Sequence, residues 1–202
     1  MPLDDALSTI HPADWLRSLP ALTGSAPEST VFTTPPSDPV DLFLDWIREA
    51  AAAGVHEPHA ATLATVDSDG MPDARTLLLK DVGARGWAFA GPRASAKAEQ
   101  LAAQPAAALN FWWQPLMRAV RLRGAVHEGS QAESDADLAA RSAAARADIE
   151  PGQWVRWWLE PVRIEFWQGA ADRRHHRLVY ERAADGWHAR TPAGESTERN
   201  RT

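Results

Sequence analysis

The apolar positions of the chain change period near residue 55, from helical spacing to short, mostly alternating runs. Leu42, Phe43, Trp46, Ile47 and Ala50 share one face at helical spacing. Asp38-Pro39 supplies an N-cap and a first helical residue with no N–H to lose, and Gly54 is a natural stop. Beyond it, Ala60–Val66 and Asp73–Lys80 flank Ser68-Asp69-Gly70 and predict a hairpin. Gly86–Ala90, Ala106–Trp113, Arg118–His127 and Val162–Gln168 predict further strands, and Gln114-Pro115 turns the second into the third. Ser95–Gln104 reads as a helix with Ser95 at its N-cap. The Ala, Ser, Asp and Glu run from Ser130 to Ile149 reads as helix or mobile segment. Leu178–Arg182 and Trp187–Arg190 make a last hairpin around Asp185-Gly186.

Many short, hairpin-linked strands with helices between them predict a mainly β fold with α. The architecture expected is an antiparallel barrel with helices packed outside. Residues 1–37 hold a short helical piece near Ala13–Leu19 and a Pro-, Ser- and Thr-rich stretch, Thr23–Ser37. They predict an N-terminal arm or linker, followed by one folded domain over 38–190 and a polar, flexible tail over 191–202.

Composition narrows the class. A chain of 202 residues suits one domain, and a net charge of −6 argues against non-specific nucleic-acid binding. No apolar run reaches the length of a membrane span, and the acidic N-terminus lacks signal-peptide order, so a cytoplasmic protein is expected. Cysteine is absent, which removes disulfides and thiolate chemistry. The ten tryptophans are the oddity, and core or subunit interface is a plainer use for them than ligand stacking.

No metal site is expected. His175 and His176 are adjacent and diverge on a strand, while His56 and His59 flank Pro58 without a further ligand nearby. No GxSxG elbow, P-loop or GxGxxG fingerprint occurs. Cations are more informative. Arg75 lies in an apolar strand where a charge is costly unless paired, and Lys97 falls in the first turn after Ser95, at a helix start. Arg173, Arg174, Arg177 and His175 crowd the turn after Trp167. These residues suit a phosphate-bearing ligand, or equally exposed arginines paired with local acids.

Four blocks, in order and spacing, resemble the pyridoxamine 5′-phosphate oxidase family. They are Asp38 to Trp46, "EPHAATLATVDSDGMPDARTLLLK" (Glu57 to Lys80), "SAKAEQL" (Ser95 to Leu101) and "IEFWQG" through "RLVY" (Ile164 to Tyr180). The resemblance implies an FMN-binding split barrel of Greek-key-like topology, working as a homodimer with FMN in the interface. It assigns Arg75, Thr76 and Lys80 to FMN, with Ser95 and Lys97 at its phosphate. Trp167 and Arg177 would reach the flavin of the partner subunit. Arg173 and His175 would face the substrate, with Lys80 and Arg141 neutralising it. On a regular strand, Arg75 and Lys80 would point to opposite faces, so both reaching one ligand requires a bulge or an edge-on flavin.

The chain also departs from that pattern. Ala96 replaces a second phosphate-site arginine, and Ala119 replaces a flavin-side glutamine. Asp137 and Ala145 stand where a tyrosine and a serine help hold the substrate phosphate. The segment after Ile149 is shortened, and Trp154-Val155-Arg156 replaces a Trp-Gly-Gly. Lost single bonds to a charged phosphate cost about 1.5–3 kcal/mol each, which FMN binding survives. An aspartate at the substrate phosphate adds like-charge repulsion. The expectation is an FMN-dependent oxidase giving pyridoxal 5′-phosphate by hydride transfer to flavin N5, reoxidised by dioxygen. The alternatives are a phenazine-biosynthesis type oxidase acting on another small reduced aromatic, or an FMN- or pyridoxal-phosphate-binding protein without turnover.

Overall fold

The structure is a computed structural model and describes residues 11–192. In chain order it holds α1 (Pro12–Ser18), α2 (Pro39–Ala52), β1 (Ala60–Val66), β2 (Pro72–Leu78), β3 (Asp81–Gly83), β4 (Gly86–Pro92), α3 (Ala96–Ala103), β5 (Ala106–Trp113), β6 (Arg118–Glu128), α4 (Gln131–Ala139), α5 (Ala143–Arg146), β7 (Trp154–Gln168), β8 (His176–Ala183) and β9 (Gly186–Arg190). All the pairings are antiparallel, in the order β2-β1-β5-β6-β7-β4-β3, with β8 on β7 and β9 on β8. No helix among the described residues is long and apolar enough to cross a membrane.

β7 organises the sheet. It pairs with β6 along most of its length, with β4 through Trp154–Leu159 and with β8 through Arg163–Gln168. It starts eight residues before the predicted Val162, because Pro161 disguises the run. Arg123 lies opposite Arg163, but Gly124 lies opposite Pro161, which leaves Val162 as the extra residue of a bulge. Proline is tolerated at such a point, where one ladder bond is already missing. The strands approach so closely there that a Cβ on Gly124 would lie 1.9 Å from the Glu160 carbonyl oxygen.

The barrel closes at the end of β2. The Leu79 N–H bonds the His59 carbonyl (2.9 Å), and the next N–H, from Lys80, bonds the Ala88 carbonyl on β4 (2.8 Å). Strand alternation therefore stops at Leu78, and the face of Lys80 is set by the corner rather than by its parity with Arg75.

Leu63, Leu109, Leu122, Ile164 and Phe166 fill the interior, and α2 plugs it. Phe43 meets Phe111 at 5.0 Å, and Trp46 meets Phe166 edge-on at 5.2 Å. Asp38 caps α2 by accepting from the Val40 N–H at 2.8 Å. Beneath this helix Arg118 is 1% exposed. Its Nη1 donates to Glu49 (2.5 Å), its Nε to Gln168 (2.9 Å), and its guanidinium lies 4.2 Å from the Trp46 ring.

The Ser130–Ile149 run resolves into α4 and α5. Ser130 and Glu133 form a full capping box, and Ser142 caps the second helix. The stretch before α2 is strapped across the barrel. Gln168 donates to the Pro27 carbonyl (3.0 Å), Tyr180 to that of Pro36 (2.8 Å) and Thr191 to that of Phe32 (3.0 Å). The predicted tail lies outside the described residues from 193 onward.

Candidate functional site

Arg75 sits on the core-facing side of β2, opposite Leu63, at the mouth that α3 covers. Its guanidinium donates to Thr65 Oγ1, to Asp73 (2.5 Å) and to Gln100 Oε1 (2.9 Å). Lys97 stands beside it on the first turn of α3. Burial and the neighbouring Arg75 charge both lower the pKa of Lys97. Its ammonium donates to Ser95 Oγ at 3.2 Å and lies 5.5 Å from the Trp157 ring. The Ser95 hydroxyl itself donates to the Pro92 carbonyl, so no side chain caps α3. Two cations and an uncapped helix start thus converge, with the Asp73 carboxylate accepting from Arg75 and Gln100. Thr76, next along, is exposed and faces the outer side of β2.

A second group lies on the outer face. Trp112, Ala119, Trp167 and Arg177 are in register across β5, β6, β7 and β8, so their side chains share that face. The Trp112 and Trp167 rings lean together over Ala119, 6.0 Å apart. His175 lies 4.9 Å from Trp167, and its Nδ1 accepts from the Ala170 N–H at 3.1 Å. Arg173, exposed in the same turn, adopts a left-handed φ of 65°. His176 turns elsewhere, stacked on Phe32 at 5.1 Å. Arg174 is held by Asp172 in solvent.

A third group joins α4, α5 and the start of β7. The Arg141 guanidinium lies 4.4 Å from the Trp154 ring, and Trp154 Nε1 donates to Asp137 at 2.7 Å. Arg156 pairs with Asp81, beside Lys80, at 2.6 Å. Lys80 is exposed at the barrel corner.

The first two groups are far apart within one chain. Lys97 stands over Trp157, whereas Trp167 lies ten residues further along the same strand, β7, roughly 30 Å away at about 3.3 Å per residue.

The family model described as pyridoxamine 5′-phosphate oxidase matches residues 47–168. The chain belongs to the pyridoxamine 5′-phosphate oxidase family. A second model, the pyridoxine 5′-phosphate oxidase C-terminal dimerisation region, matches residues 154–191, which include Trp167, His175 and Arg177. This match supports a homodimer. Curated relatives include the pyridoxine/pyridoxamine 5′-phosphate oxidases of Caulobacter vibrioides and Thermosynechococcus vestitus. The first is 37% identical, covering 77% of this chain and 86% of the relative. The second is 41% identical, covering 74% and 86%. Among solved structures, PhzG from Burkholderia lata in complex with tetrahydrophenazine-1-carboxylic acid matches with a TM-score of 0.78. It is 27% identical, over 83% of this chain and 98% of that one. An FMN-binding protein of Nostoc punctiforme shares the fold at a TM-score of 0.64 and 22% identity, over 74% and 95%.

Two supporting residues, Gln100 and Trp112, carry no motif of their own. Gln100 carries the Arg75 contact, yet a glutamine in a helix has no distinguishing pattern. Trp112 is one tryptophan in an apolar strand end. Its place at the end of alternating β5 could have marked it as outward-facing, since Phe111 and Trp113 flank it in the core.

Proposed function

We propose that the protein is an FMN-dependent oxidase of a small planar aromatic, working as a homodimer with FMN between the subunits. The convergence of Arg75 and Lys97 at the uncapped start of α3 carries the reading. A phosphomonoester is the group that two clustered cations and free helix N–H donors fit. Gly91 leaves the room that the Lys97 ammonium occupies, since a Cβ there would lie 2.2 Å from Nζ. Ser95 completes the phosphate end, and the Thr76 backbone and Lys80 follow toward the ring. FMN bound there would supply hydride acceptance at N5 and electron return to dioxygen.

The chain's own residues bind and orient. Trp167 and Arg177 of one copy cover the flavin held by its partner, since one chain separates the two groups. Arg173 and His175 hold the substrate ring, and Lys80 with Arg141 balances its charge. An apolar trough of about 460 Å³ on the outer face of β1, β5 and β6, lined by alanines 64, 106 and 108 with Val162, suits burial against that second copy.

The substrate favoured by the family is pyridoxamine or pyridoxine 5′-phosphate, with pyridoxal 5′-phosphate as product. A second reading, a reduced aromatic acid without phosphate, is favoured by one observation. Asp137 spends its carboxylate on Trp154 while Arg141 lies flat on the same ring, so this end offers no surplus of positive charge for a dianion. Anaerobic mixing of the FMN-loaded protein with pyridoxamine 5′-phosphate tests the first reading by bleaching of the flavin. Bleaching by tetrahydrophenazine-1-carboxylic acid alone would establish the second. No FMN uptake on titration would remove both.

A further inference from the structure

The Ala170 peptide holds both members of the Arg173–His175 pair. Its N–H donates to His175 Nδ1 at 3.1 Å, and its carbonyl accepts the Arg173 N–H at 3.0 Å. The donor in the first bond is a backbone amide, which has no alternative role. The acceptor, Nδ1, must therefore carry a lone pair and no proton. The Trp167 ring, 4.9 Å away and tilted at 48°, packs against the imidazole as well. Among the described residues Nε2 has no partner in the chain, and His175 is half-buried, so this edge is the one left to meet a ligand.

The turn itself is anchored. Gly169 N–H bonds the Met117 carbonyl at 2.7 Å, and a Cβ on Gly169 would meet Met117 and Trp167 carbons at 3.1 Å. The left-handed Arg173 then folds the chain back, so that its amide reaches Ala170 and His175 follows two residues later.

We propose that Ala170 is a positioning residue whose backbone amide fixes His175 with its proton on Nε2. His175 then meets the substrate as a hydrogen-bond donor and not as a base. The substrate must accordingly present an acceptor to it, such as a ring oxygen or a carboxylate. This rests on the oxidase reading for the substrate's place, while the tautomer itself does not.

The experiment is nitrogen NMR on the FMN-loaded full chain labelled at histidine, with the His175 signals assigned by their loss in H175Q. One bare nitrogen at Nδ1 and one protonated nitrogen at Nε2 are expected. A proton on Nδ1, or on both nitrogens, at neutral pH overturns the proposal. A170P, which deletes the donor, should give mixed tautomers while A170G leaves the spectrum unchanged. An unchanged tautomer in a folded A170P overturns the positioning role, and should A170P not fold, the wild-type spectrum still decides. With whichever substrate bleaches the flavin, H175Q keeps a donor near the Nε2 position and should stay within about tenfold of wild type. H175F should fall further, toward about a hundredfold, the range for losing one bond to a charged acceptor. Equal loss in both variants overturns the donor role. Absence of bleaching in wild type would count against the oxidase reading alone, because the tautomer is read without substrate.

Discussion

Lys97 Nζ occupies the space that a side chain on Gly91 would need: a Cβ there would sit 2.2 Å from Nζ and 2.7 Å from Cε. A glycine on β4 thus decides where a cation on α3 can stand. Gly91→Ala should push the ammonium away from Ser95 and Arg75 and weaken FMN binding about tenfold to a hundredfold, the value of one charge-assisted bond. Quenching of FMN fluorescence on titration measures it, and an unchanged Kd would disconnect Lys97 from the phosphate.

The lowered pKa of Lys97 makes a prediction about pH. A bound phosphate favours the charged ammonium, so binding raises the pKa and takes up a proton where the free protein has lost one. FMN affinity should fall as pH rises through the depressed value, below the usual 10.5 for lysine. Lys97→Arg should flatten that fall. For the free protein the sign is opposite: the unfolded chain holds this proton more tightly, so Lys97 makes stability rise with pH across the same window. Titrations and denaturant melts between neutral and alkaline pH separate the two slopes.

Arg75 and Arg177 should complement each other across subunits. R75A and R177A homodimers each spoil both sites and should lose FMN. Co-expressed with distinguishable tags, their heterodimer has one site with both arginines intact and one with neither. One flavin per heterodimer is the expected stoichiometry by absorbance. None would place the two arginines in the same subunit's site, or only one of them at a site at all.

Tyr180 latches the N-terminal strap by donating to the Pro36 carbonyl at 2.8 Å. Burial, then the nearby Asp38 charge, push its hydroxyl up to about 12 from 10.0. A raised folded-state pKa means stability is fully present below the unfolded value and is lost as pH climbs through the folded one. Urea melts should show stability falling from about pH 10 toward 12, and Tyr180→Phe should remove that component. At neutral pH the same variant should cost about 1 kcal/mol for the lost bond.

The Arg118–Glu49 contact is asymmetric, with side-chain exposures of 2% and 51%. Removing the arginine leaves a solvated glutamate and a buried glutamine without its donor. Removing the glutamate leaves a buried charge held only by Gln168 and the Trp46 face. Arg118→Ala should cost about 2–5 kcal/mol, from the cavity left under Trp46 and the unpaired Gln168, while Glu49→Gln should cost nearer 1 kcal/mol because the glutamine can still accept from Arg118 and solvent already screens that partner. Denaturant midpoints compare the two directly.

Local rules settled much of this molecule from sequence alone. The Asp38-Pro39 start of α2 and its apolar stripe, the hairpin at residues 68–70, alternating β5 and β6, and the last hairpin all follow from contacts within a few residues. The block motifs carried the family for the same reason, since each is contiguous. Other features depend on residues far apart in the chain. Pro161 hid half of β7 because only Gly124, on the neighbouring strand, makes a bulge there tolerable. Arg75 and Lys80 escaped strand parity because the chain changes partners between Leu79 and Lys80. The strap over residues 24–36 carries no periodic pattern, since backbone carbonyls, which every residue has, accept most of its holding bonds from remote side chains. The tautomer of His175 was likewise invisible, because it is fixed by a main-chain amide whose side chain is only a methyl group. Sequence determines the elements whose free energy is local. Tertiary structure decides where they bend, what covers them, and which atom of a side chain is left to meet a ligand.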